Sequence, residues 1–235
     1  MSDQTQDVHA NQNDAVSLND ATLHYLDVIY RLTATGTEVA NTTEIAENVG
    51  VSASGASVML RRLAERGWVQ LTRYKGATLT PMGKRVALRT IRRHRLLELF
   101  LHEVMKFEWH EVDTHAHALE TSITEALEDR MDELLNHPIR CPHGHLIPAK
   151  DGSLPIVKDV RLVDQCVGTA GVLRLVDTDN SDWLKYLGDQ GLKPGVNLKL
   201  KEVAPYGGPI TIETQQHTHN LGRSLAELMF VEVVA

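Results

Sequence analysis

Seven side chains with metal-binding chemistry recur at helical spacing between residues 94 and 120. His94, Glu98 and His102 stand at i, i+4 and i+8, so one face of one helix would carry all three. His110, Asp113, His117 and Glu120 follow at i, i+3, i+7 and i+10 and form a second stripe, from which His115 is displaced. Two adjacent helices bearing such stripes can close an ion between them. Mixed imidazole and carboxylate donors suit first-row divalent ions such as manganese, iron or zinc. A third group, Cys141-Pro142-His143-Gly144-His145, offers a thiol and an imidazole from one loop. With only two cysteines in the chain, Cys141 and Cys166, neither a disulfide framework nor a local four-ligand zinc finger is encoded. Further ligands to that loop must come from elsewhere. The alternative readings are a solvated helical face for the stripes, and a buried cysteine beside a turn histidine for the loop.

Catalytic motifs are missing. There is no His-Glu-x-x-His, no phosphate-binding Gly-x4-Gly-Lys and no Gly-x-Ser-x-Gly, so an enzyme with a small organic substrate is not expected.

The charge distribution points to another partner. The chain carries a formal net charge of −7, yet residues 61–95 hold eleven Lys or Arg against one acid, Glu65, which leaves −17 for the rest. Such asymmetry is the electrostatic footprint that phosphate binding requires. Just before this segment lies a helix-turn-helix pattern. Asn41-Thr42-Thr43-Glu44 starts a short helix, Asn48-Val49-Gly50 stops it, and Val51-Ser52-Ala53-Ser54 starts a second one carrying Val58, Met59, Leu60 and Leu63. The alternating residues 68–72, the basic turn Arg73-Tyr74-Lys75-Gly76 and residues 77–80 then read as a hairpin, which makes the unit a winged helix. Candidate DNA contacts are Thr42, Thr43, Ser52, Ser54 and Ser57 at helix N-termini, with Arg61, Arg62, Arg73 and Lys75 holding the phosphate backbone. No Asn, Gln or Arg stands in the first turn of the second helix. Readout is therefore expected to lean on shape and apolar contacts more than on bidentate pairs.

These elements need supports. A capped amphipathic helix begins near Leu18-Asn19-Asp20, carries Leu23, Leu26, Ile29 and Tyr30, and ends near Gly36. Two long helices are expected after the wing, over about residues 81–102 and about 109–136, the second serving as a dimer element. Beyond Pro138 the chain turns rich in Pro, Gly and His. Short strands then appear at 171–176, 196–200, 210–213 and 228–231, with one helix near 181–190, suggesting a small barrel. The fold class is mainly α with a small β part: an N-terminal winged helix-turn-helix, a helical dimerisation and metal-binding domain, and a C-terminal SH3-like β-barrel. The expected layout is a disordered arm at 1–20, the winged-helix domain at 21–83, the helical domain at 84–150, a linker at 151–166 and the barrel at 167–235. With no run of 18 apolar residues and a polar N-terminus unlike a signal peptide, the expected location is the cytoplasm.

Taken in order, the winged helix, His94-Arg95-Leu96-Leu97-Glu98, Cys141-Pro142-His143-Gly144 and Asp189-Gln190-Gly191-Leu192-Lys193-Pro194-Gly195 resemble the diphtheria toxin repressor and manganese transport regulator family. The last stretch resembles the SH3-like domain shared with ferrous-iron transport accessory proteins. The resemblance covers roughly residues 20–235 and implies a dimer that binds double-stranded operator DNA when loaded with a divalent ion. It also implies two metal positions. One would use His24, His117 and Glu120, with His24 where relatives carry Met or Asp and Thr121 where they usually carry His. The other would use Glu98, Cys141 and His143 with a third-domain acid, for which Asp177 matches best, and His94 falls close to both. Manganese is the expected ion, ferrous iron the alternative and zinc third. Competing readings are a winged-helix regulator with a structural metal and a different effector, a metal-dependent enzyme with an ancillary winged helix, and a transport accessory protein.

Overall fold

The computed structural model of the chain describes residues 20–34 and 38–234, and its fold divides into two compact units at Thr90/Ile91. Most of the expected N-terminal arm, the cap at Leu18-Asn19 and the helix end at Gly36 lie outside the described residues.

In the first unit, α1 (Asp20–Ala34) buries Leu23, Leu26 and Ile29 at helical spacing. Asn41 caps α2 (Thr42–Val49), its side chain accepting from the Thr43 amide at 2.8 Å. Gly50 ends α2 at φ 76°, the left-handed conformation that glycine adopts without strain. Ser52 then caps α3 (Ala53–Glu65) by accepting from the Gly55 amide at 3.1 Å. The wing is β1 (Val69–Thr72) paired antiparallel with β2 (Gly76–Leu79), in the register Val69↔Leu79 to Thr72↔Gly76. Gly76 must be glycine because a Cβ there would sit 1.9 Å from the Ala40 carbonyl oxygen. α1 packs on α2 and β2, and α3 packs on α2 and β1. Each fully buried side chain of this core, such as Leu26, Ile29, Ile45 or Leu63, contributes roughly 1.5–3 kcal/mol. The Thr80 hydroxyl accepts from the Gly83 amide at 3.1 Å and so opens α4 (Pro81–Glu103).

The unit boundary falls inside α4. In the second unit, successive α4 residues face different neighbours. Leu97 and Leu101 pack with Val112, Ala116, Ile123 and Met131, whereas Leu96 packs with Cys141 and Ile147. The single helix expected over residues 109–136 is two helices, α5 (Val112–Leu119) and α6 (Glu125–Leu134). The break has a local cause. Extended Thr124 caps α6 by accepting from the Leu127 amide at 3.3 Å, a side-chain bond of the kind that Ser and Thr offer in place of a continued helix. A buried ion network ties α4 to α6. Arg92 reaches Glu128 at 3.0 Å, Asp132 at 3.1 Å and the Pro148 carbonyl at 2.8 Å, while Arg93 takes the other Glu128 oxygen at 2.9 Å.

The remaining strands form one antiparallel sheet in the order β3-β8-β4-β5-β6-β7. They are β3 (Asp159–Arg161), β4 (Ala170–Val176), β5 (Asn197–Val203), β6 (Ile210–Thr214), β7 (Thr218–Leu221) and β8 (Met229–Val233). α7 (Ser181–Asp189) follows β4, and the single turn α8 (Arg223–Ala226) precedes β8. Register shifts at Leu173/Leu175 and Leu200/Glu202 bend β4 and β5. β3 falls within the stretch read from sequence as a linker and pairs with β8. The core of the sheet takes in Leu173, Leu184, Leu200 and Ile212, and also Trp109 from the segment before α5. Among the described residues no helix is long and apolar enough to cross a membrane.

Candidate metal centre and DNA-binding elements

Among the described residues three groups of donor atoms come together, all in the second unit. They are Glu98, Cys141 and His143; His94, His117 and Glu120; and His94, Glu98 and Asp113, with the donor atoms of each group within 4.8 Å of one another. The first group is buried throughout. Glu98 projects from α4, and a turn in which the Gly144 amide donates to the Cys141 carbonyl delivers Cys141 and His143. Gly144 is held at φ 97° against the Arg174 carbonyl, where a Cβ would come within 1.9 Å, so no other residue fits this turn. Arg140 donates to the Gly144 carbonyl at 2.7 Å, and Arg95 donates to that of Leu146.

His143 Nδ1 lies 3.0 Å from Glu98 Oε1, and its Nε2 lies 2.7 Å from the Trp109 carbonyl oxygen. A carbonyl only accepts, so Nε2 carries the proton and Nδ1 is the nitrogen offered to an ion. Burial works against charge on His143, but hydrogen bonds to Cys141 and Glu98 outweigh it and push its pKa up to about 11. Burial alone would raise the Glu98 carboxyl, yet hydrogen bonds to His143 and His94 hold it well below its ordinary value. Burial pushes the Cys141 thiol up, and the Glu98 charge adds to this. The metal-free cluster therefore keeps protons where an ion would stand. Its thiol, carboxylate and imidazole fit a divalent first-row ion.

The second group is more open. His94 Nδ1 lies 2.8 Å from Glu120 Oε2, and His117 Nδ1 lies 3.3 Å from Glu120 Oε1. The His117 side chain is 57% exposed, against 2% for His143. His94 also serves the third group, its Nε2 standing 3.2 Å from Asp113 and 3.5 Å from Glu98. Burial acts to lower the His94 pKa, but Asp113, Glu120 and Glu98 together raise it well above the ordinary histidine value.

Other expected residues belong to none of these groups. His24 is part-buried on α1 in the first unit and belongs to none of the three. Asp177 belongs to none either. Its neighbour Val176 donates its amide to the His143 carbonyl at 2.9 Å, and its carboxylate stands 3.8 Å from His145 Nε2. His102, on the sequence stripe, is turned to the Phe107 carbonyl at 2.9 Å, and Asp113 takes the place beside Glu98 that the stripe gave to it. Sequence spacing showed Asp113 on a helical face but not which α4 residue it meets. Nothing in the sequence marked Trp109 as a partner of His143.

On the winged helix, Ser52, Ser54, Arg61, Arg62, Arg73 and Lys75 are exposed. Thr42 and Thr43 open α2, with Thr43 exposed and Thr42 partly so. Ser52 and Ser54 hydroxyls sit 3.1 Å apart, and Ser57 donates to its own helix at the Ala53 carbonyl at 2.8 Å. These serines leave acceptor oxygens more than free donors at the α3 N-terminus. Val58 on α3 is 43% exposed. Tyr74 tops the wing with its ring under the Arg73 guanidinium, 4.8 Å from the ring centre.

Three family models cover these regions in sequence. An iron-dependent repressor N-terminal DNA-binding domain matches residues 17–77, an iron-dependent repressor metal-binding and dimerisation domain matches 80–149, and a FeoA domain matches 160–233. The chain is 30% identical to the iron-dependent repressor IdeR of Mycobacterium leprae over 92% of its length and 99% of that protein. The chain belongs to the iron-dependent repressor family. A solved manganese-dependent transcriptional repressor in complex with manganese superposes with a TM-score of 0.83 at 33% identity, covering 90% of this chain and 99% of that one. ScaR with bound cadmium superposes at 0.79 and 27% identity, covering 92% and 100%. The chain is thus a metal-dependent DNA-binding transcriptional regulator, with the expected mainly helical N-terminal part and SH3-like C-terminal domain.

Proposed function

We propose that this regulator binds double-stranded operator DNA as a homodimer, represses the genes downstream, and does so in the cytoplasm when manganese is loaded, with ferrous iron as the alternative ion. In this reading Glu98, Cys141 and His143 hold one ion, with Asp177 the candidate for a further ligand that the family resemblance matches best. His94, His117 and Glu120 hold a second, and His24 remains a candidate for it on sequence grounds. The observation that carries the reading is the convergence of all three donor groups on the domain matched by the metal-binding and dimerisation model.

The donor chemistry supports manganese at the open group, which is built from nitrogen and oxygen alone; Cys141 makes the buried group softer and better suited to iron or zinc. When bound, the ion supplies positive charge that draws together carboxylates and imidazoles otherwise held by protons. Ion binding can control DNA binding only if the DNA-competent form takes the ion more tightly. Ser52, Ser54, Ser57, Thr42 and Thr43 then meet the duplex at helix N-termini, while Arg61, Arg62, Arg73 and Lys75 neutralise phosphates. Exposed Val104, Met105, Leu119 and Leu127 on the second unit are apolar surface for a second copy to cover.

The test is a gel shift on the gene's own upstream DNA, first in chelator and then with manganese, ferrous iron or zinc. Binding restored by manganese supports the proposal. Equal binding in chelator overturns it in favour of a structural metal and another effector.

A further inference from the structure

One residue joins the buried donor group to the barrel core. The Trp109 carbonyl accepts from His143 Nε2 at 2.7 Å, while the Trp109 indole, 1% exposed, is part of the core formed by Leu173, Leu184, Leu187 and Ile212. The indole has no slack. A Cβ on Gly188 of α7 would come 2.5 Å from its Nε1 and 3.2 Å from Lys193 Cε, so α7 is pressed flat on the ring. Among the described residues that buried indole N–H has no hydrogen-bond partner, a cost accepted in this packing. Lys193 places its ammonium over the same ring at 5.4 Å. Two hydrogen bonds to backbone carbonyls accompany it: the Ser181 hydroxyl donates to the His110 carbonyl at 2.8 Å, and the Val176 amide donates to the His143 carbonyl at 2.9 Å.

We infer that Trp109 is a positioning residue for the buried metal site: packing of its indole in the barrel core fixes its carbonyl, which fixes the His143 ring and leaves Nδ1 facing Glu98 and Cys141. This rests on the proposal that Glu98, Cys141 and His143 hold an ion. Partners that orient a ligand histidine change metal affinity by about ten- to a hundred-fold when lost. Here the partner is a backbone atom, so its control passes to whatever holds the side chain. The barrel thereby acts on the site through ring packing, independently of any ligand it contributes.

The experiment uses the full chain with Cys166→Ser, so that Cys141 is the single thiol. Cobalt(II) is titrated and the near-ultraviolet thiolate-to-cobalt band followed, which reports on the buried group alone. Gly188→Ala, which forces the indole to move, is expected to weaken that band's apparent affinity about ten-fold or more. Ile212→Val, elsewhere in the same core, is expected to leave it unchanged at a matched loss of barrel stability. In the metal-free protein, nitrogen NMR of His143 should show a slowly exchanging Nε2–H in the parent that is lost in Gly188→Ala. Wild-type-like cobalt binding by Gly188→Ala, or equal weakening by Ile212→Val, overturns the inference. A parent chain with no thiolate band but with the protected Nε2–H overturns the metal reading and leaves the Trp109 contact standing.

Discussion

The two donor groups that share α4 differ in how much of their setting is already built. Glu98, Cys141 and His143 are each buried, and the loop that carries two of them is held by Arg140, Arg95, the Arg174 backbone and the Trp109 carbonyl. His117 and Glu120 sit at the end of a two-turn helix, and the imidazole of His117 is more than half exposed. A site whose ligands are oriented in advance loses little ordering entropy on filling, whereas an open site must gather its ligands and so can couple filling to a change elsewhere. In the proposed reading this difference divides the labour: the buried group would retain its ion and the open group would respond.

The largest effect expected is on the ion network that ties α4, which carries His94 and Glu98, to α6. Arg92→Ala removes the buried cation that Glu128 and Asp132 share, leaving Glu128 with Arg93 and Asp132 with His137, and frees the Pro148 carbonyl. It should cost about 3–5 kcal/mol in urea unfolding. A loss below about 1 kcal/mol would mean that this network does not hold α4 to α6. Next, His117→Ala with Glu120→Ala should remove metal stimulation of operator binding, a coupling of up to about a hundred-fold, while the cobalt–thiolate band persists. Loss of both together would erase the distinction between the groups. Cys141→Ser should weaken binding at the buried group about ten-fold, with the manganese response of DNA binding retained in excess ion, as gel shifts at fixed manganese can check.

The smallest and most graded effect is that of pH on the metal-free protein. The His143 pKa is raised from 6.5 to about 11, so its ion pair contributes fully below about pH 6.5, and the contribution fades as pH rises towards 11. The Glu98 pKa is lowered, so its contribution is present above its ordinary value of 4.5 and is lost on acidification below that. Metal-free stability should therefore decline through the alkaline range. Loading an ion expels the Nδ1 proton, so the gain in thermal stability on adding manganese should widen from pH 6.5 to 9. A gain that is flat with pH would show that the His143 proton is not displaced.

The winged helix was legible because its punctuation is local. Asn41, Gly50 and Ser52 each act within three residues of themselves, and their side chains or backbone do in the structure what their types allow. The break between α5 and α6 was also written locally, in Thr124, but the apolar spacing of Leu119, Ile123, Ala126 and Leu127 runs through it and masked the cap. β7 escaped because Thr218-His219-Asn220-Leu221 is a short edge strand with only two inward residues. At the site, the histidine and acid stripes were visible but their pairing was not. His102 and Asp113 were equally good neighbours for Glu98 by spacing, and packing chose Asp113. The link from Glu98 to Cys141 and His143 came from family resemblance, since a contact across more than forty residues has no local signature.

His94 touches Glu120 through one ring nitrogen and Glu98 and Asp113 through the other. A neutral imidazole has one lone pair in the ring plane to give, and its second nitrogen is occupied by hydrogen. Ions in the His94/His117/Glu120 and the His94/Glu98/Asp113 groups would each need that lone pair, and sharing it would require stripping the ring to an anion. In the proposed reading, the tautomer of His94 would therefore select which of these two triads takes an ion.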